Sequence, residues 1–219
     1  MRCGRIAGCG RLLLLLAPAV TLVGCGAPGF TFVADSSAGT YFKVPHQWQQ
    51  VDSGKLAQQL GFVSGATPKG MWLVGYDSGT SPSPSHVLSA AVSQPFAFAW
   101  VVPLNSKTSN AMSYNNLRDF LFPVTSLTQQ AQARQGVGPS GFRLISDSVI
   151  TSSQGIHGVR EIFQLAARSG KADIFDQIAF TNANDTTVYL LMVHCLVSCY
   201  LHNRGEIDTV MTSFTVRPR

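Results

Sequence analysis

An α+β fold, an antiparallel β-sheet meander flanked by α-helices as an α/β/α sandwich, is what this sequence predicts, and three observations predict it. Four strand-length runs follow one another: Phe142 to Ile150, Val159 to Ala167, Ala172 to Thr181 and Thr187 to Cys195. Turn-rich segments containing SSQGIHG, RSGK and NAND part them, and residues of those types reverse the chain, so consecutive runs pair antiparallel. The chain then closes on a helical stripe, Ile207, Val210, Met211 and Phe214, whose single apolar face has to lie on the sheet.

The N-terminus carries an address rather than a fold. Arg2, Arg5 and Arg11 precede an apolar run from Leu12 to Val23. At about 1.5 Å per residue this run falls short of roughly 30 Å of hydrocarbon, so residues 1–24 read as an export signal and not as a membrane helix. Leu22, Val23 and Gly24 before Cys25 resemble the lipobox of bacterial lipoproteins. That resemblance implies that the Cys25 thiol takes a diacylglyceryl group, that cleavage leaves Cys25 at the mature N-terminus, and that its amine is often acylated with a fatty acid such as palmitate. Two chains hold a protein firmly to a bilayer where one is marginal. The expected location is therefore the extracytoplasmic face of a cell membrane. Ordinary secretion, with cleavage after Ala17 or Ala19 and Cys25 left as a thiol, is the alternative.

Composition narrows the function classes. Three of the 16 basic residues leave with the leader while all 11 acidic ones stay, which takes the net charge from +5 to +2. Without a Lys/Arg cluster or a basic stripe interleaved with aromatics, no footprint for nucleic acid is present. Charged residues make up only 12% of the chain, so Gly, Ser, Thr, Asn and Gln supply most of the solvated surface. Cys3 and Cys9 leave with the leader and Cys25 goes to lipid, which leaves Cys195 and Cys199 as an even pair in an oxidising compartment.

Residues 25–40, rich in Gly, Ala and Ser, read as a flexible tether, and residues 41–217 as one domain. Tyr41 to Pro45 is a short strand stopped by proline, with Trp48 behind it as a core anchor. Lys55 to Leu60 is a short helix with Leu56 and Leu60 on one face and Gly61 as its stop. Met71 to Tyr76 and Phe96 to Leu104 are strands that carry Trp72 and Trp100 into the core, and Asp77 to His86 between them is a loop. Ser113 to Phe122 has helical spacing of Tyr114, Leu117 and Leu121 and ends at Pro123. A more polar helix follows from Ser126 to Arg134, then a loop from Gly136 to Gly141. The closing helix, Arg204 to Ser213, is expected to be capped by Asn203 with Glu206 three residues on.

Phe42, Val44, Pro45 and Trp48 at the start, a central helix, the long meander and a terminal helix leading into Ser213 to Val216 together resemble the PsbP-like superfamily. That superfamily includes the photosystem PsbP proteins, the Ran-binding Mog proteins and many actinobacterial lipoproteins. The resemblance implies an antiparallel sheet flanked by helices and a binding or assembly role, with no shared catalytic residue to carry over. The lipobox departs from the plant proteins, so a photosynthetic role does not follow.

Two constellations carry candidate chemistry. Along a continuous strand Cys195 and Cys199 would stand about 13 Å apart, beyond the roughly 7 Å that a disulfide tolerates between Cα atoms. A bridge therefore requires the chain to turn within Leu196 to Ser198. The alternative is a metal-handling or redox site built from the two thiolates with His194 or His202. Asp77-Ser78-Gly79-Thr80 resembles the loop of aspartic proteases, but no second Asp-Ser-Gly-Thr occurs to complete an aspartate pair, and Asp77 reads as a turn residue. His46, His86 and His157 read as solvated or structural, and Asn184-Asp185-Thr186 as a hairpin turn. No catalytic set, metal site or cofactor is expected. The expected partners are the membrane through Cys25 and an unidentified protein or small ligand.

Overall fold

A computed structural model describes residues 29–62, 65, 67–136, 138–152, 154–166 and 170–217, so the expected leader, residues 1–24, and Cys25 lie outside the described residues. Two sheets organise the chain. The larger has seven strands in the order β3-β4-β5-β9-β8-β7-β6: β3 Gln49–Gln50, β4 Trp72–Asp77, β5 Phe96–Pro103, β6 Arg143–Thr151, β7 His157–Ala166, β8 Ala172–Thr181 and β9 Thr187–Leu196. The predicted meander is its backbone, each strand antiparallel to the next. The central strand β9 is buried on both faces, which is why its sequence, TVYLLMVHCL, is nearly continuously apolar.

The smaller sheet corrects one expectation. Phe30–Asp35, inside the expected tether 25–40, forms a strand, β1, paired along its whole length with β2, Thr40–Pro45. β10, Thr215–Val216, adds to the other edge of β2. Glycine, alanine and serine content reads as a tether, but Phe30–Asp35 is a strand whose Val33 lies in the core while Phe32, on the other face, is exposed.

Helices cover both faces of the seven-stranded sheet. On one face lie the small sheet and two helices, α5 Val197–His202 and α6 Arg204–Thr212; Ile207, Val210, Met211 and Phe214 pack there with Phe42, Val44 and Trp48. On the other face lie α1 Ser53–Gln59, α3 Tyr114–Arg118 and α4 Val124–Ala133, with Leu56, Leu117, Val124 and Ala131 turned to the sheet. Gly75 lets α1 sit close: a Cβ there would stand 2.9 Å from Leu56 and from Val51. Trp72 and Trp100 are half-buried and pack against opposite cores, beside Phe42 and against Phe62 and Phe120 respectively.

The helix expected over Ser113 to Phe122 stops at Arg118, because Asp119 leaves helical geometry and its carboxylate accepts the Thr125 amide at 2.7 Å, tying off the start of α4. A further short helix, α2 Ser106–Asn110, is wholly polar and carries no periodicity to predict it. The expected loop after Asp77 contains one turn of 3₁₀ helix, Pro84–Val87. Asn203 does not cap α6; its side-chain amide donates to the Cys199 carbonyl at 2.9 Å, joining α6 to α5. Among the described residues no helix is long and apolar enough to cross a membrane.

Candidate functional site

Two cross-strand rows on the face under α1, α3 and α4 position the chemistry. One runs Asp77, Phe96, His194, Phe175, Phe163 and Leu144 across six strands. Two residues along, the next runs Gly75, Phe98, Met192, Gln177, Glu161 and Asp147. Strand alternation puts these side chains on a common face. The first row is a ladder of rings, with His194 stacked on Phe175 at 4.9 Å and Phe175 on Phe163 at 5.3 Å.

At the start of the first row Asp77 is fully buried and spent on its own loop. One carboxylate oxygen accepts Gly79 N at 2.8 Å; the other accepts Ser83 N at 2.9 Å and lies 2.7 Å from His86 Nδ1. Asp77 thus organises Asp77 to His86 as the sequence led one to expect of a turn residue, and lines a cavity of about 590 Å³ with Ser78, Gly79, Ser85, His86 and Ser89. Farther along, His194 Nδ1 stands 3.6 Å from Asp173, whose carboxylate accepts Ala91 N at 3.0 Å.

Cys195 and Cys199 are bonded to each other with Cα atoms 5.9 Å apart. The turn this requires is the start of α5 at Val197, where β9 gives way to helix. His194 does not converge on the pair: as the neighbour of Cys195 on a strand it points to the opposite face, into the ring ladder, while Cys195 packs under α6. His202 sits exposed at the end of α5.

Sequence reasoning missed the second row. Glu161 is fully buried, with Oε1 lacking a hydrogen-bond partner among the described residues and Oε2 reached by Gln177 Nε2 at 3.3 Å. Burial above all, then the charges of Asp147 and Asp119, push its carboxyl up to about 8, against opposing contributions from Arg118 and Gln177. Glu161 and Asp147, at the end of the row, line a cleft of about 360 Å³ with residues of α3 and α4. An alternation of polar residues at an edge-proximal strand resembles any solvated face in one dimension; only α3 and α4 make it an interior.

On the opposite face the neighbouring residue Arg160 donates to both oxygens of buried Asp176, at 2.9 and 2.7 Å, and to Asp208 at 3.0 Å. The Tyr200 hydroxyl donates to Asp176 at 2.9 Å. The hydrogen bonds to Asp176 foremost hold the Arg160 guanidinium above its ordinary range, and burial, then Asp176, holds the Tyr200 phenol above its own.

With 16% identity, 92% of this chain and all of the other superpose on cyanobacterial PsbP (CyanoP) from Synechocystis sp. PCC 6803, at a TM-score of 0.52. The fold is PsbP-like. Weaker likenesses, with TM-scores of 0.47 and 0.43, are to LpqN, involved in cell envelope biogenesis of Mycobacterium tuberculosis (14% identity, 86% of this chain and 91% of that one), and to the Saccharomyces cerevisiae Ran-binding protein Mog1p (7%, 85% and 95%). No protein-family model matches the sequence, and no curated protein does so. At these identities the likeness to PsbP carries the architecture, which is the α+β arrangement predicted above.

Proposed function

We propose that this chain is a non-enzymatic binding or assembly module, held at the extracytoplasmic face of a cell membrane by lipid on Cys25. The observation that carries the reading is the fate of the reactive groups. Asp77 is consumed by its own loop and Cys195 is bonded to Cys199, so the residues that suggested hydrolysis or metal handling serve as fold-closing bonds. The leader with its lipobox supports the anchor, an intrachain disulfide suits an oxidising compartment, and the PsbP-like fold supports a module that works by presenting surface.

Expression of the full chain in a lipoprotein-processing bacterium tests the anchor. Mass spectrometry of the natural chain should find a diacylglyceryl group on an N-terminal Cys25, and Cys25→Ala should accumulate as a lipid-free precursor. Unchanged processing and unchanged partition into detergent in that variant overturn the anchor. Crosslinking at the cell surface then identifies what the module holds.

A further inference from the structure

The fold encloses a carboxyl of which it pairs only one oxygen. Glu161 is fully buried with Oε1 unpartnered among the described residues, and Thr125 Oγ1 is likewise buried without a partner among them. Both line the cleft of about 360 Å³, whose walls include Arg118, Asp147, Val124 and Leu144. A buried polar group without a partner costs folding free energy, so both groups call for a partner that enters the cleft from solution.

The surrounding charge identifies the missing complement. Asp147 on β6 and Asp119 at the end of α3 act on the Glu161 carboxyl as like charges, and Arg118 of α3 acts on it as the opposing one. Arg118 is committed to Asp147 by contacts of 3.1 to 3.2 Å and to Asn115 at 3.0 Å. α4 contributes only uncharged side chains to the cleft, and Gln177 on β8 is neutral. Acid is in excess around the one carboxylate oxygen that has nothing to accept.

We propose that this cleft binds a small primary amine, its ammonium taken by the Glu161 carboxylate and the Thr125 hydroxyl and its carbon stem laid against Val124 and Leu144. An ammonium has donors and no acceptor, which matches an unpartnered carboxylate oxygen and an unpartnered hydroxyl lining one cleft. A divalent cation is the poorer fit, since it takes six or more oxygens and the second carboxylate is held by Arg118. Binding selects the ionised form of Glu161, so affinity rises with pH towards the value of about 8 at which that carboxyl titrates. The proposal rests on the reading of the chain as a binding module and is tested without reference to Cys25, so failure of the one is distinguishable from failure of the other.

Calorimetric titration of the full chain in detergent with n-butylammonium chloride, n-butanol and calcium chloride separates the outcomes. The expected result is saturable binding of n-butylammonium that tightens by up to about tenfold per pH unit below the Glu161 midpoint, with no binding of n-butanol. Glu161→Gln, which keeps the shape, should weaken the amine by roughly tenfold or more. No amine binding to the natural chain, equal binding by Glu161→Gln, equal binding of n-butanol, or calcium taken in place of the amine overturns the proposal. Should Glu161→Gln fail to fold, carbon-13 NMR of the Glu161 carboxyl in the unsubstituted protein decides: its titration midpoint moves down on adding the amine, and an unmoved midpoint overturns the proposal.

Discussion

Arg160 and Glu161 are consecutive on β7, face opposite sides of the same sheet, and meet opposite treatment. On the α5–α6 side the buried carboxylate of Asp176 receives both ends of the Arg160 guanidinium and the Tyr200 hydroxyl. On the α3–α4 side the buried carboxyl of Glu161 receives one long contact from Gln177. The difference lies in the covering helices: α5 brings Tyr200 and α6 brings Asp208 into one network, whereas the arginine of α3 turns to Asp147 at the sheet edge. A buried charge with every partner supplied behaves as scaffold; one left short of partners marks where the fold has kept chemistry in reserve.

Breaking the completed network should produce the largest effect. Arg160→Met leaves Asp176 buried with only Tyr200, and urea unfolding should show a loss of about 3–5 kcal/mol. A loss below about 1 kcal/mol would mean that Asp176 is not held as a charge and would erase the contrast between the faces.

Glu161→Gln should move stability the other way. Folding raises this carboxyl to about 8 from an ordinary 4.5, so the folded chain retains a proton that the unfolded chain sheds. Stability is intact below the ordinary carboxyl range and declines as pH rises through that range to the folded value. The variant should therefore lack this decline and exceed the natural chain by about 2–4 kcal/mol near pH 9, checked by denaturant curves across pH. Parallel pH profiles of the two proteins would show that Glu161 titrates normally. The smallest effect belongs to Tyr200→Phe, which removes one hydrogen bond to Asp176 and should cost about 1–2 kcal/mol in the same assay.

What was legible in the sequence was what depends on neighbours along the chain. The meander from β6 to β9 follows from apolar runs and the turn chemistry between them, and the α6 stripe from its spacing. Leu56 and Gly61 likewise placed α1 to within two residues. β1 was hidden because its partners come from β2 across a reversal and its sheet is completed by β10 from the far end of the chain. α2 has no apolar face to betray it, and Asn203 forgoes its expected cap because Cys199, one helix earlier, offers a carbonyl.

By itself the sequence determined the α+β class, the order of the strands in the meander and the need for a turn between Cys195 and Cys199, because periodicity, turn residues and covalent reach are local quantities. Only tertiary structure decided that Asp147, Glu161 and Gln177 share one row beneath α3 and α4. Burial and charge pairing depend on elements that arrive from elsewhere in the chain, and a glutamate alternating along a strand reads the same whether water or a helix covers it.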